Sequence, residues 1–152
     1  MISIVAYQKI YTPWVTIEMQ LPDSVDQGDG HELHCTELAT LDGVTYVAVP
    51  DELQLPEQPP VLTITPVVLD DELRERIKAA SPHCQLIAER MEEKIRARYS
   101  ISDEQYFARI GVGRALSMYE FEEGEIEELT AFGEHVEAVR AWGRAEREKL
   151  GL

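Results

Sequence analysis

Residues 38–49 read LATLDGVTYVAV, and this stretch decides the fold. Asp42-Gly43 is a favoured pair for a two-residue type I′ turn, because both central positions need positive φ. The runs on either side are apolar and β-branched, so they pair as a hairpin. The turn fixes the register: Leu41 faces Val44, and Ala39 faces Tyr46.

Working outward toward the N-terminus, ISIVAYQ (2–8) and WVTIEM (14–19) carry the same β-branched and aromatic composition. YTP (11–13) breaks between them, and SVDQGDG (24–30) reads as a polar turn. Toward the C-terminus, LPEQPP (55–60) has three prolines in six residues. It is excluded from a central strand and reads as a stiff, extended connector. VLTITPVVL (61–69) adds one more strand, placed at a sheet edge by Pro66.

From Asp70 the apolar period lengthens from two to about 3.6. LDDELRERIKAA (69–80) sets Leu73 and Ile77 on one face behind an acidic first turn. Ser81-Pro82 restarts a helix, serine as N-cap and proline at the first position, with a stripe of Leu86, Ile87, Met91 and Ile95. Ser102 and Gln105 have capping-box spacing for a third helix, and Gly111 and Gly113 are expected to kink or end it. The last helix is expected over about 123–149, acidic at its start and basic at its end, as the helix dipole favours. Leu129, Phe132, Val136, Val139 and Trp142 supply its buried face. The expected fold is α+β: a β-rich N-terminal part (1–68) with its proline-rich connector at 56–66, then a helical part (69–152) of three to four helices.

The 152 residues suffice for a real core. The formal net charge is −15. Such a surface repels phosphate backbones and anionic membranes, so neither nucleic acid nor membrane is an expected partner. It favours a basic partner, or simply a solvated surface. The N-terminus lacks the basic and apolar regions of a signal peptide, and no apolar run approaches a membrane span. Synthesis in the cytoplasm and reduced cysteines are the expectation.

HELHC (31–35) and SPHCQ (81–85) place histidine beside each cysteine. On a strand, His31 and Cys35 face one way and His34 the other, so the trio does not converge on one ion. His83 and Cys84 diverge on a helix. Neither segment has zinc-site spacing, and Cys84 has no oriented base for nucleophilic work. DSVDQGDGHE fails as a calcium loop because Val25 falls at the first ligand position. RIGVGRA has Leu116 where a dinucleotide fingerprint needs its third glycine. Glu122, Glu123, Glu127 and Glu128 read as solvated carboxylates. No catalytic residue, cofactor or metal is expected. Trp142, Arg140 and Arg144 on the last helix, with Trp14 and Tyr11 near the start, are the candidate partner contacts, because Trp, Tyr and Arg dominate binding hot spots.

The stretch IKAASPHCQLIAERMEEKIRARYSISDEQYFARIGVG (77–113) and the ending FGEHVEAVRAWGRAEREKLGL (132–152) resemble small proteins encoded among the tail genes of tailed bacteriophages and prophages. The N-terminal half is similar in organisation, a β-rich start and a proline-rich connector, to tail-fibre assembly proteins. The resemblance implies a non-enzymatic protein made in the host cytoplasm, whose partners are other tail or fibre proteins and which works in an oligomeric or multicopy assembly. It leaves two roles open. One is a virion component at the tail tip, baseplate or fibre attachment. The other is an assembly chaperone absent from the mature particle.

Overall fold

The computed structural model describes residues 1–152. The chain is α+β, with a β-rich N-terminal region followed by four helices. It divides into two compact units: residues 1–85 together with 147–152, and residues 86–146. The change from strands to helices near residue 68 is thus not where the units part.

In the first unit, β1 (Ile2–Tyr7), β6 (Thr36–Leu41), β7 (Val44–Pro50) and β8 (Thr65–Val67) form one antiparallel sheet in the order β6-β7-β1-β8. The expected turn is present: Asp42 and Gly43 have φ of 50° and 80°. Leu41 pairs with Val44 and Ala39 with Tyr46, and a bulge at Glu37/Ala39 shifts the register beyond. The edge position foreseen for Pro66 holds. Two pairs of two-residue strands complete the β content, β2 (Ile10–Tyr11) paired to β3 (Thr16–Ile17) and β4 (Val25–Asp26) to β5 (Glu32–Leu33).

Period-two alternation gives this sheet two apolar faces, and the bulge at Glu37/Ala39 interrupts it so that the consecutive Leu38 and Ala39 join one cluster. Ile4, Leu38, Ala39 and Ala48 form one, covered by the fully buried Ile77 of α1 (Asp71–Ala80). Leu73 from the same helix and Leu150 and Leu152 from the C-terminal segment pack against that cluster. Gly151, at φ 76°, is confined there: a Cβ would lie 3.0 Å from the Ile2 side chain. Tyr7, Met19, Cys35, Val47 and Val49 form the other face, with Leu53, Leu55, Leu62 and Ile64 packed on it. The proline-rich segment forms no strand and closes a turn where the Leu62 N–H donates to the Pro59 carbonyl at 3.0 Å, and the residues flanking its prolines cover the sheet rather than forming a free connector. Gln58 fastens it, accepting from the Gln20 backbone N–H at 2.9 Å and donating to the Gln20 carbonyl at 2.8 Å.

The second unit contains most of α2 (Pro82–Arg96), all of α3 (Ile101–Ala115) and most of α4 (Glu125–Glu148). An aromatic cluster holds it: Phe107 stacks on Phe132 at 4.9 Å, and Tyr99 meets both rings edge-on. Helix α3 corrects two expectations. Its N-cap is Ser100, not Ser102: the Ser100 hydroxyl accepts from the Asp103 N–H at 3.0 Å and Asp103 accepts from the Ser100 N–H at 2.8 Å. The local pattern allowed either serine, and the reciprocal box with Asp103 favours the earlier one. Gly111 and Gly113 do not end the helix, which runs on to Ala115. Gly113 instead makes room for Tyr119, whose Cβ would lie 2.9 Å from an added Cβ. In α4, Gly143 admits Met91, whose thioether sulfur occupies the space such a Cβ would need. Leu86, expected on the buried stripe of α2, is exposed.

Candidate interaction surface

Tyr11 and Trp14 come together at the tip of the β2–β3 hairpin, in the first unit. The tip is closed three ways by Thr12. Its N–H and its hydroxyl both donate to the Val15 carbonyl, at 3.0 and 2.7 Å, and the hydroxyl accepts from the Val15 N–H at 3.1 Å. Pro13 restricts the backbone further by fixing φ. Trp14 is 91% exposed and Tyr11 74%, with Val15 also exposed beside them. A tip already ordered loses little entropy when its aromatic rings are covered, which makes it suited to contact.

The base of the hairpin is held by Lys9, whose ammonium donates to Glu37 on β6 at 2.8 Å and lies 3.5 Å from Glu18. The hydrogen bond to Glu37 raises the Lys9 pKa, ahead of the opposing effect of burial. Beside the base runs an open groove of about 350 Å³, lined by Tyr7, Gln8, Ile10, Val44, Val61 and Thr63 among others. It lies where β1 extends past the end of the short edge strand β8, which pairs only with Ile4, Val5 and Ala6.

The candidates on α4 have a different setting. Trp142 is half-buried, with the Lys94 ammonium 4.7 Å from its ring centre. Arg144 donates to Glu137 at 2.7 Å, and Arg140 is exposed near the same carboxylate. Those two guanidinium groups hold the Glu137 carboxyl below its usual range, Arg144 first. One face of Trp142 and the fork of Arg144 are therefore engaged within their own unit.

Cys35 and Cys84 are free and buried, and burial pushes both thiols up, which disfavours the nucleophilic thiolate. His31, His34 and His83 are exposed, and no three His, Cys, Asp or Glu side chains are grouped as a metal site requires.

The sequence reading missed Glu125. The run around it looked uniformly solvated, yet Glu125 is only 5% exposed. Its carboxylate accepts from the Tyr106 hydroxyl, from the Tyr119 hydroxyl at 2.6 Å and from the Glu122 N–H at 2.6 Å. Those donors hold its pKa below the usual carboxylate range, Tyr106 contributing most. The same bonds push both tyrosines up to about 12. The arrangement ties the α3–α4 connection to both helices.

Comparison with protein-family models, with curated proteins and with solved structures finds no match. No helix is long and apolar enough to cross a membrane.

Proposed function

We propose that this chain is a non-enzymatic interaction protein of a bacteriophage tail, a component at the tail tip, baseplate or fibre attachment that works through protein–protein contacts. The observation that carries the interaction reading is the ordered β2–β3 tip, which presents Tyr11, Trp14 and Val15 to solvent. Large exposed aromatic groups on a rigid support are characteristic of binding anchors. The phage setting is supported by the resemblance of residues 77–113 and 132–152 to tail-gene products. Trp14 and Tyr11 are the proposed principal contacts, with Arg140, Trp142 and Arg144 a second set.

The net charge of −15 supports a second reading, a tail or tail-fibre assembly chaperone that binds its client transiently and leaves. Mass spectrometry of purified infectious particles, quantified against a known tail protein, decides between them. A fixed small copy number in the particle is expected for a virion component. Absence from particles with abundance in the lysate makes the protein an assembly factor. Absence from both, in a host where the gene is expressed during infection, overturns the tail assignment.

A further inference from the structure

Two aspartates of this chain are followed directly by glycine, Asp29 and Asp42. Such a bond is open to an intramolecular reaction that other aspartates resist, because glycine has no Cβ to keep its amide nitrogen from the preceding carboxyl carbon. Both pairs are exposed, so access to water does not separate them. Backbone freedom does. Ring closure swings the glycine nitrogen onto the carboxyl carbon and needs rotation about the aspartate Cα–C bond. At Asp42 that rotation is blocked. Asp42 and Gly43, at φ 50° and 80°, are the centre of a tight turn between the paired residues Leu41 and Val44. Strands of six and seven residues extend the pairing, and the Thr40 and Thr45 hydroxyls add a bond of 2.9 Å across it. Arg76 also engages the Asp42 carboxylate, a small brake because that pair is solvated.

Asp29 has no such frame. Its loop is closed by a two-residue strand pair, Val25 with Leu33 and Asp26 with Glu32, and by a bond from the Gln27 N–H to the His31 carbonyl at 2.9 Å. Every residue from 23 to 32 is exposed, and nothing lies within 4 Å of a Cβ placed on Gly30. A segment with so few buried contacts opens at little cost. The Asp29 carboxylate already turns back over the chain that follows it, accepting from the His31 N–H at 3.0 Å. Asp26 does the same toward the Gly28 N–H at 2.8 Å, but its next residue is Gln27, whose side chain hinders attack.

We propose that Asp29–Gly30 is a site of spontaneous modification, converting to isoaspartate while Asp42–Gly43 stays intact. The Gly30 nitrogen bonds to the Asp29 Cγ, and its proton leaves with the carboxyl hydroxyl as water. The resulting five-membered imide takes up one water. Breaking its bond from nitrogen to the original main-chain carbonyl carbon leaves the chain running through Cγ, with the old carbonyl as a free carboxylate. Breaking the new bond restores aspartate. No electron is gained or lost, and the mass is unchanged. The rerouted chain is longer by one bond of about 1.5 Å, inside the loop that closes β4 on β5. The Gln27–His31 bond and the two-residue pairing are expected to be lost, while β6, starting at Thr36 after the buried Cys35, keeps its place. This chemistry is independent of the interaction surface.

The test is storage of the full chain in warm, mildly acidic buffer, then digestion with an endoproteinase that cuts before aspartate and not before isoaspartate. Methyl transfer by an isoaspartyl methyltransferase measures total conversion independently. Cleavage before residue 29 is expected to disappear at least roughly tenfold faster than cleavage before residue 42, a difference of about 1.4 kcal/mol in barrier. In urea the two sites are expected to convert at similar rates. Asp29→Glu keeps the charge and leaves Gly30 in place, but would have to close a less favourable six-membered ring. It is expected to remove most of the methyl acceptance. Equal loss at the two sites in the folded chain, faster loss at 42, no loss at 29 while the chain in urea converts, or undiminished methyl acceptance in D29E overturns the proposal. A preference for 29 that survives in urea overturns the role of the fold. The NMR contact between Val25 and Leu33 is expected to vanish in the converted chain, and its persistence overturns the loss of pairing.

Discussion

Arg76 on α1 reaches the turn residue Asp42, nitrogen to carboxylate oxygen at 2.8 Å, so the helix that covers the sheet is tied to the hairpin that sets its register. Both side chains are solvated, and an exposed pair of this kind contributes at most about 1 kcal/mol. The neighbouring residue, Ile77, matters more. It is fully buried among Ile4, Leu38, Ala39 and Ala48. Ile77→Ala is expected to cost about 2–5 kcal/mol, and Arg76→Ala under about 1 kcal/mol. Urea unfolding of the two variants checks the ranking.

The cap of α3 separates two neighbouring serines. Ser100→Ala removes the reciprocal box with Asp103 and is expected to lower stability by about 1 kcal/mol. Ser102→Ala, on the exposed first turn, is expected to change it by less than about 0.5 kcal/mol. Equal effects at the two positions in thermal melts would contradict the observed start of the helix.

Two glycines of α4 should respond in opposite ways to one change. Gly133 is exposed, with nothing within 4 Å of an added Cβ. Gly133→Ala is expected to raise stability by roughly 0.5–1 kcal/mol. Gly143 is buried against Met91. Gly143→Ala forces the thioether to move, and its helix-propensity gain is expected to be cancelled or reversed. Denaturant midpoints of the two variants, measured side by side, test this.

The Tyr106–Glu125–Tyr119 arrangement predicts a pH dependence at both ends of the scale. The Glu125 pKa is lowered in the folded state, so its contribution is present above the ordinary carboxylate value of 4.5 and is lost as pH falls through the folded value. The tyrosine values are raised, so their contribution is present below the ordinary value of 10.0 and is lost as pH rises toward about 12. Glu125→Gln should flatten the acid limb of a stability-versus-pH curve, and Tyr119→Phe the alkaline limb. An unchanged acid limb in E125Q would show that other carboxylates set it.

Trp14→Ala tests the hairpin tip. With 91% of the residue exposed, its removal should leave the melting temperature essentially unchanged. Under the proposed tail role, copurification with tail proteins, or recovery in particles, should fall sharply. Loss of stability instead would mean that Trp14 supports the fold and is not an anchor.

The hairpin, the edge position of Pro66 and the face of α1 were legible because each is set by neighbours in sequence: a turn dipeptide, a missing N–H and a helical spacing. The break at Pro13 was legible, but the exposure of Tyr11 and Trp14 was not: sequence alone could not separate them from Trp142, whose setting depends on Lys94 in another helix. Glu125 was not legible for the same reason. Its burial is stabilised by Tyr106, nineteen positions earlier, and a glutamate among glutamates carries no local sign of that donor. The covering role of the proline-rich segment was likewise hidden, because Leu53, Leu55, Leu62 and Ile64 become a row only when laid on the sheet.

The return of residues 147–152 to the first unit sets an order of events during synthesis. β1, β6, β7, β8 and α1 all emerge early, but Leu150 and Leu152, which complete the apolar cluster around Ile4, arrive only after residues 86–146. At translation rates of about 5–20 residues per second that interval lasts several seconds. For that time the nascent sheet carries an uncovered notch at Ile2 and Ile4, while the helical segment, rich in local contacts, is free to fold first. A chaperone acting on the growing chain would find its apolar target at that notch.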